Sequence, residues 1–243
     1  MTKYIIPSFQ RPHIAKEQTL AFLKRHKIDN KDIHLFLRSD DPYLNDYMDR
    51  ATDMNIHISD VKGIGNTHNH ITEHFDEDDF LVEIDDDLQE LVDNERKPVK
   101  DFKGIVETMR YKMSMEGTSY GGTYQVANPR FMSGNKEYTT DLRYMLGCLR
   151  FRFNRKDITL ETNYAEDMEN CIKHYIRDGK IMKNNWIAPK TKNYQSGGCK
   201  TDGRDNETEK SDKVFLSTRY PQYCKLFQRK SGIWDLRIRE YKV

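Results

Sequence analysis

Three consecutive aspartates, Asp85 to Asp87, directly follow a mostly apolar stretch and are the clearest chemical feature of the sequence. The preceding residues, Phe80–Ile84, are mainly of the types that suit a strand buried in a sheet. Open α/β sheets bind ligands at the carboxyl edge of such strands. Crowded carboxylates repel one another unless a cation lies among them, and a hard divalent cation can also hold a substrate diphosphate. The pattern favours a metal site over a solvated acidic turn, provided that the chain forms a nucleotide-binding fold.

The first third of the chain alternates between strand and helix patterns, as such a fold requires. We expect strands at Lys3–Ile6, Ile33–Leu37, Ile56–Ile58 and Phe80–Ile84, and helices at Ala15–His26, Tyr43–Met54 and Asn66–Phe75. The third helix is expected to be capped by Asn66 or Thr67. This alternation predicts a mostly parallel, Rossmann-like sheet with helices on both faces.

The rest of the chain is less regular. We predict a helix within Pro98–Met115, strands at Gly121–Val126 and Leu149–Phe153, and a helix at Asn163–Asp178 that Gly179 ends. Residues 188–213 are rich in polar residues and predict a long mobile loop, after which residues 215–243 pack back on the body. We therefore expect a single α/β domain, with a less regular C-terminal region. Its nucleotide-binding half spans residues 1–95 and its acceptor-binding half spans residues 96–243.

The length of 243 residues allows one large α/β domain or two small ones, and the chain is 36% hydrophobic and 33% charged. No apolar run is long enough to span a membrane, and no secretory signal opens the chain. The four cysteines are widely spaced, which argues against a zinc site or a disulfide framework and for a reducing cytoplasm.

The net charge of +1 hides a strong asymmetry along the chain. Residues 76–95 contain eleven acidic and no basic residues, whereas residues 96–155 contain twelve basic and five acidic ones. Residues 186–243 contain thirteen basic and seven acidic residues. An acidic centre followed by basic flanks suits a polyanionic partner, although ordinary charge scatter is the alternative.

Three motifs in this order resemble a known family. They are Pro7-Ser8-Phe9-x-Arg11-Pro12, a Gly63-Ile-Gly65 loop that runs into an asparagine-bearing helix, and Ile84-Asp-Asp-Asp87. The set looks like the GT-A class of glycosyltransferases. More closely, it is similar to the phage and viral branch related to the TET/base-J-associated DNA glycosyltransferases, which attach a sugar to a hydroxymethylated pyrimidine in DNA. The resemblance covers roughly the first ninety residues.

The resemblance implies a UDP-sugar as co-substrate and Mn or Mg as the metal. Asp85 and Asp87 match the outer acids of a DxD motif, and Asp87 is the better candidate for direct metal contact. Arg11 is suited to the donor because a guanidinium pairs bidentately with phosphate. Turn chemistry accounts equally well for Asp40 and Asp41. The implied donor-binding residues are Pro7, Ser8, Phe9, Arg11, Asp40, Asp41, Gly63, Gly65, Asn69, Asp85 and Asp86.

An inverting transfer also needs a base that takes the proton of the acceptor hydroxyl. In inverting GT-A enzymes this acid often lies in a short motif at a helix start. The corresponding residues here are Asp167, our first choice, and Glu166, our second. The competing interpretation is that acids at a helix N-terminus simply complement the helix dipole.

The implied acceptor is DNA carrying 5-hydroxymethylcytosine or a related pyrimidine, and the implied sugar is glucose or arabinose. Gly121, Gly122 and Tyr124 would line a pocket for a flipped base, or form a plain turn. Phe151 and Phe153 are expected to face the core and the neighbouring arginines to face water. Ser196–Gly198 would close over the donor. The implied DNA-contacting cations are Arg150, Arg152, Lys190, Lys192, Lys200 and Arg204.

Three other functions remain open at this point. The chain could transfer a sugar to a protein or glycan, act as a metal-dependent phosphoesterase or nuclease, or bind DNA through an inactive transferase fold. His68, His70 and His74 are interpreted as surface or packing histidines, because positions two apart do not share a helix face. The expected partners are a nucleotide sugar and DNA, without a membrane. The expected location is the cytoplasm, that of the host if the protein is phage-encoded.

Overall fold

The computed structural model describes residues 1–49, 53–191 and 197–241. The strands are β1 (Thr2–Pro7), β2 (Ile33–Arg38), β3 (Asn55–Ser59), β4 (Phe80–Ile84), β5 (Leu88–Asp93), β6 (Tyr120–Thr123), β7 (Tyr138–Thr139), β8 (Leu149–Phe153), β9 (Met182–Asn184), β10 (Ile187–Thr191), β11 (Cys224–Gln228) and β12 (Trp234–Ile238). The α-helices are α1 (Pro12–Ala15), α2 (Ala21–Arg25), α3 (Leu44–Met48), α4 (Ile64–His74), α5 (Phe102–Glu116), α6 (Pro129–Met132), α7 (Glu166–Asp178) and α8 (Asn206–Arg219). A π-helix, Lys16–Leu20, joins α1 to α2.

The main sheet has eight strands in the order β3-β2-β1-β4-β8-β6-β9-β7. The first four strands in this order run parallel to one another. Strand β8 lies antiparallel between β4 and β6, β9 is parallel to β6, and the short β7 is antiparallel to β9. Six of the eight strands therefore point the same way. The prediction of an α/β domain with a mostly parallel sheet is confirmed.

Alternating residues of the central strands pack on opposite faces of the sheet, as strand geometry requires. Ile5 of β1 and Leu81 of β4 pack against Ile71 of α4 on one face. Ile6 and Val82 face the larger cluster on the other side. That cluster includes residues from α2, α5 and β5. Because β4 is buried along its whole length, the acidic run that follows it is held at a fixed position on the sheet edge.

The predicted strands and the first and third helices of the first third are confirmed with small shifts of their ends. The second helix is shorter than predicted, since α3 spans Leu44–Met48, and residues 50–52 of the predicted helix lie outside the described residues. One detail is wrong, because α4 begins at Ile64 and neither Asn66 nor Thr67 caps it. The residue before the helix is Gly63, whose φ of 87° lies in the left-handed region that favours glycine. Helix α7 ends at Gly179, also at positive φ, as predicted.

The prediction of a mobile loop over residues 188–213 is wrong. Strand β10 pairs antiparallel with β5, a 3₁₀ turn follows at Gly198–Lys200, and α8 begins at Asn206. Asp205 and Thr208 form a reciprocal capping box at the start of α8. Polar residues that cap helices resemble loop residues in a sequence, which is why the pattern misled. Lys192 and Ser196 lie outside the described residues.

No helix in the described ranges combines the length and the apolar character needed to cross a membrane.

Candidate functional site

A cavity of about 160 Å³ opens at the carboxyl ends of β1, β2 and β3, at the edge where the acidic run begins. Its lining combines residues from the first third of the chain with residues from the segment 198–204. The predicted site residues that line it are Pro7, Ser8, Phe9, Arg11, Gly63, Asp85, Asp86, Glu166 and Arg204. The structure thus brings together most of the predicted donor residues and one of the two candidate bases.

The cavity also has lining residues that sequence reasoning missed. They are Phe36, Leu37, Arg38, Ser59, Ile64, Thr67, Cys199 and Asp202. Gly198, part of the stretch expected to close over the donor, also lines the cavity. Arg38 stacks over the Phe9 ring, with its guanidinium carbon 3.9 Å from the ring centroid, and pairs with Asp202. Asp202 also accepts a hydrogen bond from the Gly63 backbone N–H at 3.0 Å. Arg38 and Ser59 directly follow predicted strands, and this position could have indicated them as site residues. No local sequence pattern indicated Asp202.

Asp86 has a structural role within the acidic run. Its carboxylate is 5% exposed and accepts hydrogen bonds from Ser8 Oγ at 2.6 Å and from Arg11 Nη1 at 3.2 Å. The run is therefore tied to the loop that follows β1. Burial raises the pKa of Asp86 to about 6, although Arg11 and Ser8 oppose the shift.

Within the described residues, the carboxylates of Asp85 and Asp87 lack the side-chain hydrogen bonds that hold Asp86. Burial raises the pKa of Asp87 to about 7, and the charges of Asp85 and Asp86 add to this effect. Burial likewise raises the pKa of Asp85. Asp85 lines the cavity, whereas Asp87 is not among its lining residues. Nearby arginines, including Arg11, oppose these shifts but do not cancel the effect of burial on the pKa values of the two acids.

This donor set fits a hard divalent cation. Mg²⁺ is usually bound through one or two carboxylates together with substrate phosphates, and Asp85, in the cavity lining, and Asp87, two residues further on, are carboxylates that could hold it. Among residues 1–49, 53–191 and 197–241, no group of three His, Cys, Asp or Glu side chains could hold a metal ion.

The two acids at the start of α7 have different surroundings. Glu166 lines the cavity and its Oε1 lies 3.8 Å from Arg150 Nη2; burial, and then the charge of Asp167, raise its pKa. Asp167 does not line the cavity and accepts a hydrogen bond from the Tyr144 hydroxyl at 2.5 Å. The second-choice base therefore faces the cavity, and the first-choice base faces Tyr144.

Tyr144 is itself fixed by two donors. Its backbone carbonyl accepts hydrogen bonds from Gln125 Nε2 at 2.5 Å and from Lys183 Nζ at 3.1 Å. Lys183 lies over the Tyr124 ring, 4.7 Å from its centroid. A polar chain therefore connects Asp167 with the loop after β6, the region predicted to meet the acceptor.

Four predicted donor residues lie away from the cavity. Asp40 pairs with Arg38 and Lys62, and Asp41 accepts hydrogen bonds from the backbone N–H groups of Gln10 and Tyr43. Asn69 exchanges hydrogen bonds with the backbone of Leu160. A Cβ at Gly65 would lie 1.9 Å from the Thr162 carbonyl oxygen, so this glycine permits close packing of α4. The turn interpretation of Asp40 and Asp41 is the one that fits these contacts.

The expectation of a base pocket at Gly121 and Gly122 is wrong. Both glycines lie in the buried strand β6. A Cβ at Gly121 would approach Met109 Cε and Met113 Sδ at 2.9 Å, and one at Gly122 would meet the Met145 side chain at 3.0 Å. These glycines let neighbouring elements pack against the sheet.

The expectation that Arg150 and Arg152 face water is also wrong, because they are 2% and 5% exposed. Both surround Glu83 of the neighbouring strand, whose carboxylate also lies 3.1 Å from His68 Nδ1. Burial alone would raise the pKa of Glu83, but Arg152, His68 and Arg150 together hold it well below its usual range. We call Glu83, His68, Arg150 and Arg152 the buried ionic cluster.

The remaining predicted cations and histidines take varied positions. Lys190 and Lys200 are exposed, on β10 and on the 3₁₀ turn. Arg204 pairs with Glu209 at 2.6 Å and lines the cavity. His70 and His74 pack edge-on against Phe36, as packing histidines do.

Comparison with solved structures defines the class of fold. The S. aureus TarS fragment 1–349 in complex with UDP-GlcNAc superposes with a TM-score of 0.59 at 13% identity, over 89% of this chain and 65% of that one. Glucosyl-3-phosphoglycerate synthase from Mycobacterium tuberculosis, in complex with Mn²⁺, UDP and glucosyl-3-phosphoglycerate, gives a TM-score of 0.53 at 10% identity, over 99% and 87%. The chain has the GT-A fold, as the motifs predicted.

A third structure extends the comparison. The mannosyltransferase PcManGT from Pyrobaculum calidifontis, in complex with GDP-Man and Mn²⁺, gives a TM-score of 0.52 at 12% identity, over 77% of this chain and 53% of that one. The chain thus spans less than two thirds of the TarS fragment and of PcManGT. No protein-family model and no curated protein sequence matches the chain.

Proposed function

We propose that the protein is a metal-dependent glycosyltransferase that moves a sugar from a UDP-sugar to the hydroxyl of a hydroxymethylated pyrimidine in DNA. The observation that carries the proposal is the cavity at the carboxyl ends of β1 to β3, whose lining includes Asp85, Asp86 and Glu166, three acids with raised pKa values. A GT-A fold supports a nucleotide-sugar donor. So do the ligands of the structural neighbours, namely UDP-GlcNAc, UDP and GDP-Man, two of them with Mn²⁺.

The donor half of the mechanism falls to the cavity residues. Phe9 and Arg38 offer a flat, cationic platform for the nucleoside, and Arg11 lies where a guanidinium can pair with phosphate. Asp85 and Asp87 would hold Mn or Mg. When bound, the cation offsets the charge of the leaving diphosphate.

The acceptor half needs a proton acceptor near the transferred sugar. We assign Asp167 as the base because the hydrogen bond from the Tyr144 hydroxyl holds its carboxylate in one orientation. Glu166 is the alternative base, since it faces the cavity and its raised pKa lies nearer to neutrality than that of an ordinary carboxyl.

The proposal that DNA is the acceptor rests on the resemblance to the DNA-modifying branch and on the charge asymmetry of the chain. 5-Hydroxymethylcytosine is the proposed target, and glucose or arabinose the proposed sugar. A cytoplasmic location, that of the host for a phage-encoded enzyme, fits such an acceptor.

Donor-dependent thermal stabilisation tests the donor part of the proposal. UDP, UDP-glucose, UDP-arabinose, UDP-N-acetylglucosamine and GDP-mannose would be compared, each with and without Mn²⁺. A ligand that binds only the folded state raises Tm by mass action. We expect a Mn²⁺-dependent rise with a UDP-sugar. The absence of a rise with every nucleotide, in folded protein, would overturn the proposal.

Transfer to DNA tests the acceptor part. Duplexes with 5-hydroxymethylcytosine, 5-hydroxymethyluracil or plain cytosine would be incubated with the stabilising donor, and a gain in mass would be sought. We expect labelling of a hydroxymethylated duplex alone. Transfer to a glycan or protein instead would contradict the DNA acceptor, and cleavage of DNA without a donor would indicate a nuclease.

A further inference from the structure

The last two strands form a separate antiparallel ribbon, β11–β12, outside the main sheet. One face of the ribbon is apolar, since Cys224 and Leu236 belong to a buried cluster that also contains Leu216 of α8. Ala165 and Met168, which flank the two candidate bases, belong to the same cluster. The ribbon is therefore packed directly behind the start of α7.

The opposite face of the ribbon carries cations and aromatic rings. Lys225 lies opposite Arg237 in the strand register, and Arg239 follows two residues later. All three are exposed. Lys225 and Arg239 lie over the Tyr241 ring, 4.3 and 4.6 Å from its centroid, and Arg237 lies 5.3 Å from the centroid of Phe227. The rings thus lie beneath the cations and hold them in an array.

The acids of this region are engaged elsewhere. Asp235 pairs with Arg229, which leaves the turn of the ribbon close to neutral there. Glu240 accepts a hydrogen bond from the Tyr175 hydroxyl at 3.1 Å. The three aligned cations therefore dominate the charge of the exposed face.

We propose that this face of the ribbon is a docking surface for duplex DNA, which Lys225, Arg237 and Arg239 hold by its phosphates. The inference rests on the proposed function in that the docked DNA is taken to be the acceptor. In this proposal the ribbon binds the DNA, whereas residues of the cavity and of α7 carry out the sugar transfer.

The geometry of the ribbon suits this partner. Cations two residues apart on a strand are about 6.7 Å apart, and both arginines can pair bidentately with phosphate oxygens. A two-stranded ribbon also has the width that the major groove of B-DNA admits. The apolar face packs against Ala165 and Met168, so the cationic face is the one left open to a partner.

Fluorescence anisotropy with a short labelled duplex tests the docking surface. The variant Lys225→Gln/Arg237→Gln/Arg239→Gln would be compared with Lys16→Gln/Lys24→Gln/Lys103→Gln, which removes the same charge from exposed residues on other elements. We expect the ribbon variant to bind at least about tenfold more weakly, and the control variant to match the wild type. Each lost phosphate contact lowers the slope of log Kobs against log salt by about 0.9, so a fall of up to about 2.7 is expected.

Three outcomes would overturn the inference. They are equal binding by the ribbon variant and the wild type, equal losses in both variants, and binding to phosphatidylserine vesicles in place of DNA. The Mn²⁺-dependent thermal shift with UDP-sugars, measured on the same proteins, separates this inference from the proposed function. We expect both variants to keep that shift. If the wild type and both variants lacked this thermal shift, while DNA binding still depended on the ribbon, the proposed transferase function would be rejected and the docking surface would stand.

Discussion

Strand β4 carries acids in two contrasting settings only two residues apart. Glu83 lies within the buried ionic cluster, where Arg152, His68 and Arg150 hold its pKa well below the usual range against the effect of burial. Asp85 and Asp87 follow just after the strand end, where burial raises their pKa values and the nearby arginines offset the shift only in part. Paired cations outweigh the effect of burial on the pKa of Glu83, whereas burial prevails at Asp85 and Asp87. That difference distinguishes a structural carboxylate from a candidate ligand-binding one.

The largest expected effect is on stability, at Glu83. Glu83→Gln leaves two buried guanidinium groups without their carboxylate, and breaking a buried ion pair in this way costs about 3–5 kcal/mol. Urea denaturation of the wild type and the variant measures the loss. Glu17→Gln, at an exposed position, is the matched control and should stay within about 0.5 kcal/mol of the wild type. A Glu83→Gln protein as stable as this control would show that the two settings do not differ.

The next largest effect concerns ligand binding, at Asp87. Asp87→Asn removes one of three mutually repelling carboxylates, so the metal-free variant should be at least as stable as the wild type. The same change should weaken Mn²⁺-dependent UDP-sugar binding about 100-fold or more, because it removes one of the two proposed metal ligands. Calorimetric titration with Mn²⁺ present measures the affinity, with the exposed Asp46→Asn variant as control. Unchanged donor affinity would assign Asp87 to the structural class with Glu83.

The smallest effect is a pH dependence that belongs to the buried ionic cluster. Burial, followed by the charge of Arg150, lowers the pKa of His68 to about 4. The unfolded chain protonates this histidine as pH falls below its ordinary value of 6.5, whereas the folded protein does not. Stability is therefore lost as pH falls from about 6.5 to about 4.

His68→Gln tests this dependence. At pH 5 the variant should take up about one proton fewer than the wild type on unfolding, which the slope of the unfolding free energy against pH reports. Identical slopes would mean that His68 is not the buried neutral group that its contacts indicate. His13→Gln, at an exposed position, serves as the control.

The sequence was sufficient for features that depend on local pattern. Alternation of strand and helix predicted the parallel half of the sheet, and a buried strand before three aspartates placed those acids at the sheet edge. The cavity residues Ser8, Phe9 and Arg11 followed from the loop after β1. These signals are local because each strand of a parallel sheet brings its own carboxyl end to the same edge.

Features that depend on distant partners were not predictable in this way. The alternation in Leu149–Phe153 suggested a half-exposed strand, but Glu83 and His68 come from elements far away in the chain and cover the arginine side. The pairing of β10 with β5 and the arrival of Asp202 at the cavity are likewise long-range. No single-sequence pattern states which acid will meet which cation.

The placement of residues 198–204 in the cavity wall has a consequence for synthesis. Every strand of the eight-stranded sheet lies within residues 2–184, so all of them have been translated before that wall segment exists. Elongation at about 5–20 residues per second leaves an interval in which the sheet can assemble without a closed cavity. In a ribosome-bound chain at that stage, the sheet would resist proteolysis. Adding the proposed donor nucleotide would not increase this resistance until residues 198–204 have emerged.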